Sequence, residues 1–134
     1  MNSPIILALD TKDLETAKSW IEATNESIGI YKVGLEFYLK FGADGLRRLA
    51  DAGDFKTFLD LKLHDIPNTV SAAVSSVVNL TPKFLTIHAS GGAAMIKAAS
   101  DVAPNVSITA VTILTSLSDS DLVEIGYAKN TKSS

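Results

Sequence analysis

The sequence predicts an α/β fold of repeated βα units, arranged as a (β/α)8 TIM barrel truncated after strand 5. Short apolar runs alternate along the chain with stretches whose apolar residues recur at helical spacing, and such alternation implies a parallel sheet with helices outside. Polar or charged residues end nearly every apolar run: Asp10, Lys32, Asp60 and His88, spaced 22, 28 and 28 residues apart. Barrel enzymes build their sites at that end of the strands. Finally, neither a GxGxxG nor a GxxxxGK[ST] loop follows any run, which weakens the competing reading, a five-stranded doubly wound sheet holding a nucleotide. A whole barrel needs eight strands and typically about 250 residues. The 134 residues present are expected to form a single partial barrel domain, five units of the eight.

The elements follow in order. Ile5–Leu9 is continuously apolar, as suits a strand buried on both faces. Asp13 can cap a helix whose Leu14, Ala17 and Ile21 share one face. Ile28–Gly34 is the second strand, followed by a helical region from about Glu36, interrupted near Gly42 and stopped at Gly53. The third strand, from Phe55, runs into a charged tip, and Pro67 then suits a first helical turn. Val70, Ala73, Val74, Val77 and Val78 form the stripe of that helix. Pro82 breaks the chain before the fourth strand, Phe84–His88. Gly91 and Gly92 open a helix expected to bury Ala94, Met95, Ala98, Ala99 and Val102. The fifth strand is read as Val106–Leu114, and Ser118 as the cap of a last helix over Asp119–Ile125. The polar tail, Ala128–Ser134, is expected to fray.

Composition narrows the function. With 46% hydrophobic and 20% charged residues, the chain is ordinary for a soluble globular domain. Its net charge of −3, without a basic run, makes nucleic acid an unexpected partner. No cysteine is present, which removes disulfide and thiolate chemistry. No apolar run approaches the roughly 18 residues of a membrane span, and Met1–Pro4 lacks the features of a signal peptide. A cytoplasmic location is expected.

Chemistry concentrates at the third strand tip, Asp60-Leu61-Lys62-Leu63-His64-Asp65-Ile66-Pro67-Asn68-Thr69. Strand alternation points Phe58, Asp60 and Lys62 to one face, where two charges are costly to bury without partners. Lys62 stands between two acids at the C-terminal end of the strand. With Lys32 it makes a candidate network of alternating sign, Lys32, Asp60, Lys62 and Asp65, in which the acids hold Lys62 protonated. Taken alone, the D-x-K-x-x-D cluster is as readily a strand-end salt bridge. Asp10 alone is more often a cap, Lys32 a snorkelling strand-end lysine and Thr115 an ordinary turn residue. His64 and His88 read as structural, His88 within the strand-tip hydrogen bonding. Gly91-Gly92 reads as a turn rather than a phosphate cradle.

The cluster, with Ile66 to Thr69, resembles the signature of the orotidine 5′-monophosphate decarboxylases. Ala8-Leu9-Asp10, Tyr31-Lys32-Val33-Gly34, His88-Ala89-Ser90-Gly91-Gly92 and Thr112-Ile113-Leu114-Thr115-Ser116 are similar to the family's other strand ends, in order and spacing. The resemblance implies a barrel enzyme that converts orotidine 5′-monophosphate to UMP and carbon dioxide, without metal or organic cofactor, as a homodimer with shared sites. It implies Lys62, Asp60, Asp65 and Lys32 as catalytic residues, and contacts to substrate from Asp10, Lys32, Asp60, Lys62, Asp65, Ile66, Thr69 and Thr115. Asp65, Ile66 and Thr69 would serve the neighbouring subunit's site. The family's phosphate grip, from its last strands, has no counterpart here, so a partial barrel that is inactive alone is expected. Its inward positions, such as Ile5, Leu7, Phe58 and Ile108, would lack an opposite wall. Two alternatives stand beside this reading: a non-catalytic barrel fragment, and a magnesium-dependent sugar-phosphate decarboxylase or aldolase of the same fold. The latter enzymes carry a glutamate, a metal ligand, where this chain has Lys32, and an ammonium there repels magnesium.

Overall fold

The computed structural model describes residues 3–127; the expected frayed tail lies outside them. Strands and helices alternate: β1 (Ile6–Ala8), α1 (Leu14–Thr24), β2 (Ile30–Gly34), α2 (Leu35–Leu49), β3 (Lys56–Leu63), α3 (Pro67–Val77), β4 (Phe84–His88), α4 (Ala93–Asp101), β5 (Ser107–Val111) and α5 (Asp119–Glu124).

The strands pair in chain order, β1-β2-β3-β4-β5, each neighbour parallel. A doubly wound sheet reverses its order at a switch point, and this one does not. Right-handed crossovers taken always in the same direction carry the helices to one face. The sheet is therefore five strands of a (β/α)8 barrel, with β1 and β5 each paired on one side only.

Local sequence explains where the helices begin. The Asp13 carboxylate accepts the Thr16 N–H at 2.8 Å, and Ser118 forms a capping box with Asp121. Pro67 is the first residue of α3, where its missing N–H costs nothing. Gly92, at φ +91°, makes the turn into α4 that a residue with a Cβ resists. Gly42, at φ +64°, breaks α2 where the interruption was expected.

The core lies between sheet and helices. Tyr31, Val33, Leu59, Leu85 and Ile87 are fully buried and form one cluster with Ile21, Val74, Met95 and Ala99 from the helices. The opposite face carries Lys32, Phe58 and Phe84 in one register row. The two rings meet edge to face at 5.6 Å, a favoured aromatic geometry.

Several expectations change. β1 is not buried on both faces: Ile6, which shares the Lys32 face away from the helices, is 41% exposed, and Ile5, just before the strand, is 59% exposed. Leu7 and Ile108 do not face an open interior. They pair in register with Tyr31 and Leu85, on the helix side, and pack against the core. β5 is shorter than Val106–Leu114, since its one partner, β4, offers five residues, from Phe84 opposite Ser107 to His88 opposite Val111. In α4, Met95 and Ala99 define the buried line, and Ala94, about 100° round the helix from Met95, is exposed.

Candidate active site

The site begins with an irregularity in β3. Between the pairs Leu59–Leu85 and Leu63–Ile87, β3 advances four residues while β4 advances two. Asp60, Leu61 and Lys62 occupy this bulge, and bulges commonly re-aim side chains beside active sites. Lys62 takes φ +48°, a left-handed conformation that costs an L-residue roughly 1–2 kcal/mol. Its Nζ lies 2.9 Å from each carboxylate oxygen of Asp60.

Asp60 is the hub. It is only 8% exposed, and Lys32 Nζ approaches its second oxygen at 3.7 Å from the neighbouring strand. The Thr86 hydroxyl, on β4, donates to its first oxygen at 2.7 Å. Burial works to raise the Asp60 carboxyl, but the hydrogen bonds from Lys62 and Thr86 and the charges of Lys62 and Lys32 outweigh it. They hold the group below its ordinary value of 3.8. Three of the four residues of the expected network thus come together, two cations on one buried carboxylate.

Asp65 is not among them. Its side chain accepts the Ile66 N–H at 2.7 Å and stands exposed before α3. The left-handed residue at Lys62 ends the strand direction, so a spacing of three no longer returns Asp65 to Lys62 within the chain. Ile66 is 65% exposed and Thr69 is exposed on the first turn of α3. Asp10 follows β1 and lines the same cavity as Lys32, Asp60 and Lys62, a cleft of about 400 Å³ at the strand tips. Lys12 and Glu36 also line it and form an ion pair at 4.0 Å. Thr115 sits exposed in the turn after β5, apart from that cleft.

The histidines differ from expectation. Their rings lie beside each other, centroids 5.4 Å apart, and among the described residues His88 makes this ring contact and no side-chain hydrogen bond. Burial, then the charges of His64 and Lys62, keep His88 below its ordinary value of 6.5. Thr86 went unnoticed in the sequence. A hydroxyl in the middle of the apolar run Phe84-Leu85-Thr86-Ile87 was the available signal, because a buried polar group needs a partner.

Comparison with known proteins agrees with this fold. A family model described as "Orotidine 5'-phosphate decarboxylase / HUMPS family" matches residues 3–133. A protein of Thermobifida fusca named orotidine 5′-phosphate decarboxylase is 48% identical over 126 residues, covering 94% of this chain and 54% of its own length. The crystal structure of orotidine 5′-phosphate decarboxylase from Lactobacillus acidophilus superposes with a TM-score of 0.76 at 36% identity, covering 92% of this chain and 58% of that one. That of an uncharacterised conserved protein from Geobacillus kaustophilus gives 0.85 at 31% identity, covering 96% and 63%. The chain spans about half the length of the curated relatives it matches.

Proposed function

The chain belongs to the orotidine 5′-phosphate decarboxylase / HUMPS family, and on that premise we propose that it supplies the catalytic lysine centre for decarboxylation of orotidine 5′-monophosphate to UMP and carbon dioxide. The observation that carries the reading is the Asp60 carboxylate clasped by Lys62 and Lys32 beside an open cleft.

Breaking the bond between the pyrimidine ring and its carboxylate leaves an electron pair on a ring carbon with little delocalisation. The Lys62 ammonium faces that charge as it develops and then gives the carbon its proton. The lysine is left neutral and regains a proton from solvent. Asp60, beside the departing carboxylate, repels it more in the bound substrate than in the less anionic transition state, a contribution whose size is contested. Lys32 balances Asp60 and, with Asp10, contacts the nucleotide. No metal or organic cofactor enters the scheme.

Asp65, Ile66 and Thr69 serve the site of a second subunit in a cytoplasmic homodimer. Their exposure, and the lack of any contact from Asp65 to Lys62 within the chain, support that assignment. The magnesium-dependent reading is disfavoured by Lys32, whose ammonium stands 3.7 Å from the carboxylate a metal would need.

The test is UMP formation from orotidine 5′-monophosphate, with and without a chelator. It is run on residues 1–134 alone and on the chain completed by the remaining segment of the Thermobifida fusca relative. Chelator-resistant UMP formation by the completed chain supports the proposal. A chelator-sensitive reaction, or none, overturns it. Activity only in the completed chain, and not with residues 1–134 alone, would mark the chain as an incomplete catalytic unit.

A further inference from the structure

Thr86 touches both members of the Asp60–Lys62 pair at once. Its hydroxyl donates to Asp60 Oδ1 at 2.7 Å and accepts the Lys62 backbone N–H at 2.9 Å. The bulge leaves that N–H without its regular ladder partner, at the residue whose backbone is left-handed. Thr86 is 3% exposed and is absent from the cleft lining, so it reaches a bound ligand only through its two partners.

We propose that Thr86 is a positioning residue for Lys62: its buried hydroxyl ties the Lys62 backbone to the Asp60 carboxylate and so sets where the ammonium stands. A hydroxyl suits the task because one oxygen both donates and accepts. Strained backbone persists only where surrounding contacts over-determine it, and this bond is the contact made by the strained residue's own N–H. Without it, Lys62 is free to relax toward a regular strand, and Asp60 loses one of its two hydrogen-bond donors. The charged groups about the pair are Lys32 from β2, which faces Asp60, His88 from β4, which interacts with Lys62, and Asp10, which lines the same cleft. Lys62 and Lys32 act on Asp60 directly, so the Asp60 midpoint reports both the lost Thr86 bond and any displacement of the Lys62 ammonium.

The catalytic consequence rests on the proposed decarboxylation; the structural claim does not. Thr86→Val keeps the shape and removes donor and acceptor, while Thr86→Ser keeps both. In the chain completed by the remaining segment of the Thermobifida fusca relative, Thr86→Val is expected to raise the titration midpoint of the Asp60 carboxyl, followed by 13C NMR. It should also lower kcat about tenfold or more, with KM held within about threefold, since the residue touches no substrate. Thr86→Ser should restore both readouts. If Thr86→Val does not fold, Thr86→Cys, similar in shape and weak in hydrogen bonding, takes its place with the same readouts. An unchanged Asp60 midpoint in the hydroxyl-free variant overturns the positioning role. So does a loss that Thr86→Ser fails to rescue. If the wild-type protein forms no UMP, the decarboxylase reading fails by itself, and the Asp60 midpoint still decides the role of Thr86.

Discussion

Lys62 turns back along its own strand and places Nζ 2.9 Å from both oxygens of Asp60, two residues earlier. The pair is asymmetric in burial: the Asp60 side chain is 10% exposed and that of Lys62 37%. The ammonium therefore keeps one side toward the cleft while the carboxylate fixes the other. A proton donor needs that arrangement, held at its base and open at its tip.

Asp60→Asn should cost stability at neutral pH by about 1–3 kcal/mol, less than for a fully buried pair, because solvent screens the partly exposed lysines. In the fold the Asp60 carboxyl lies below its ordinary 3.8. Its contribution is therefore complete above that value and disappears as pH falls through the lower folded one. Urea denaturation of wild type and variant should show a gap at neutral pH that narrows as pH falls below 3.8. A gap independent of pH would contradict the charge network.

Asp65 should act across a subunit boundary. Lys62→Ala and Asp65→Ala proteins, each inactive, are expected to regain activity when mixed under conditions of subunit exchange, since one of the two sites in the heterodimer is then intact. Verified exchange without recovery would return Asp65 to the site of its own chain.

His64→Gln should raise the titration midpoint of His88. His64 is one of the charges holding His88 down, after burial itself, and removing a like charge favours protonation. Proton NMR of the imidazole resonances reads this directly, and a midpoint that falls or stays would show that the two rings do not interact.

Leu85→Ala, at a fully buried position in the middle of the sheet, should destabilise the fold by about 2–5 kcal/mol. Chemical denaturation checks it. A smaller loss would mean that the helix-side cluster is not the main core.

The architecture was legible because local signals and global pattern agree. Asp13, Pro67, Gly92 and Ser118 each mark a helix start that the structure keeps. Strand alternation put Asp60 and Lys62 on one face, and they meet there. What escaped depends on lateral neighbours. The exposure of Ile6 follows from the face its register gives it, away from the helices, and the length of β5 from the length of β4. The place of Thr86 follows from a bulge that shifts β3 against β4, which no period in either strand encodes. Asp65 looked close to Lys62 by spacing, but one left-handed residue redirects the chain between them.

Lys62→Ala in the chain completed by the remaining segment of the Thermobifida fusca relative gives the most direct measurement of the central claim, the rate of UMP formation relative to wild type at equal protein concentration. General acid catalysis alone contributes about 10²–10⁴-fold, and loss of the facing charge adds to it. The expected result is a fall in kcat of at least about 10²-fold, with circular dichroism and the denaturation midpoint showing a folded protein. Turnover within about tenfold of wild type would contradict the assignment of Lys62 as proton donor, since that is less than the smallest usual contribution of such a group.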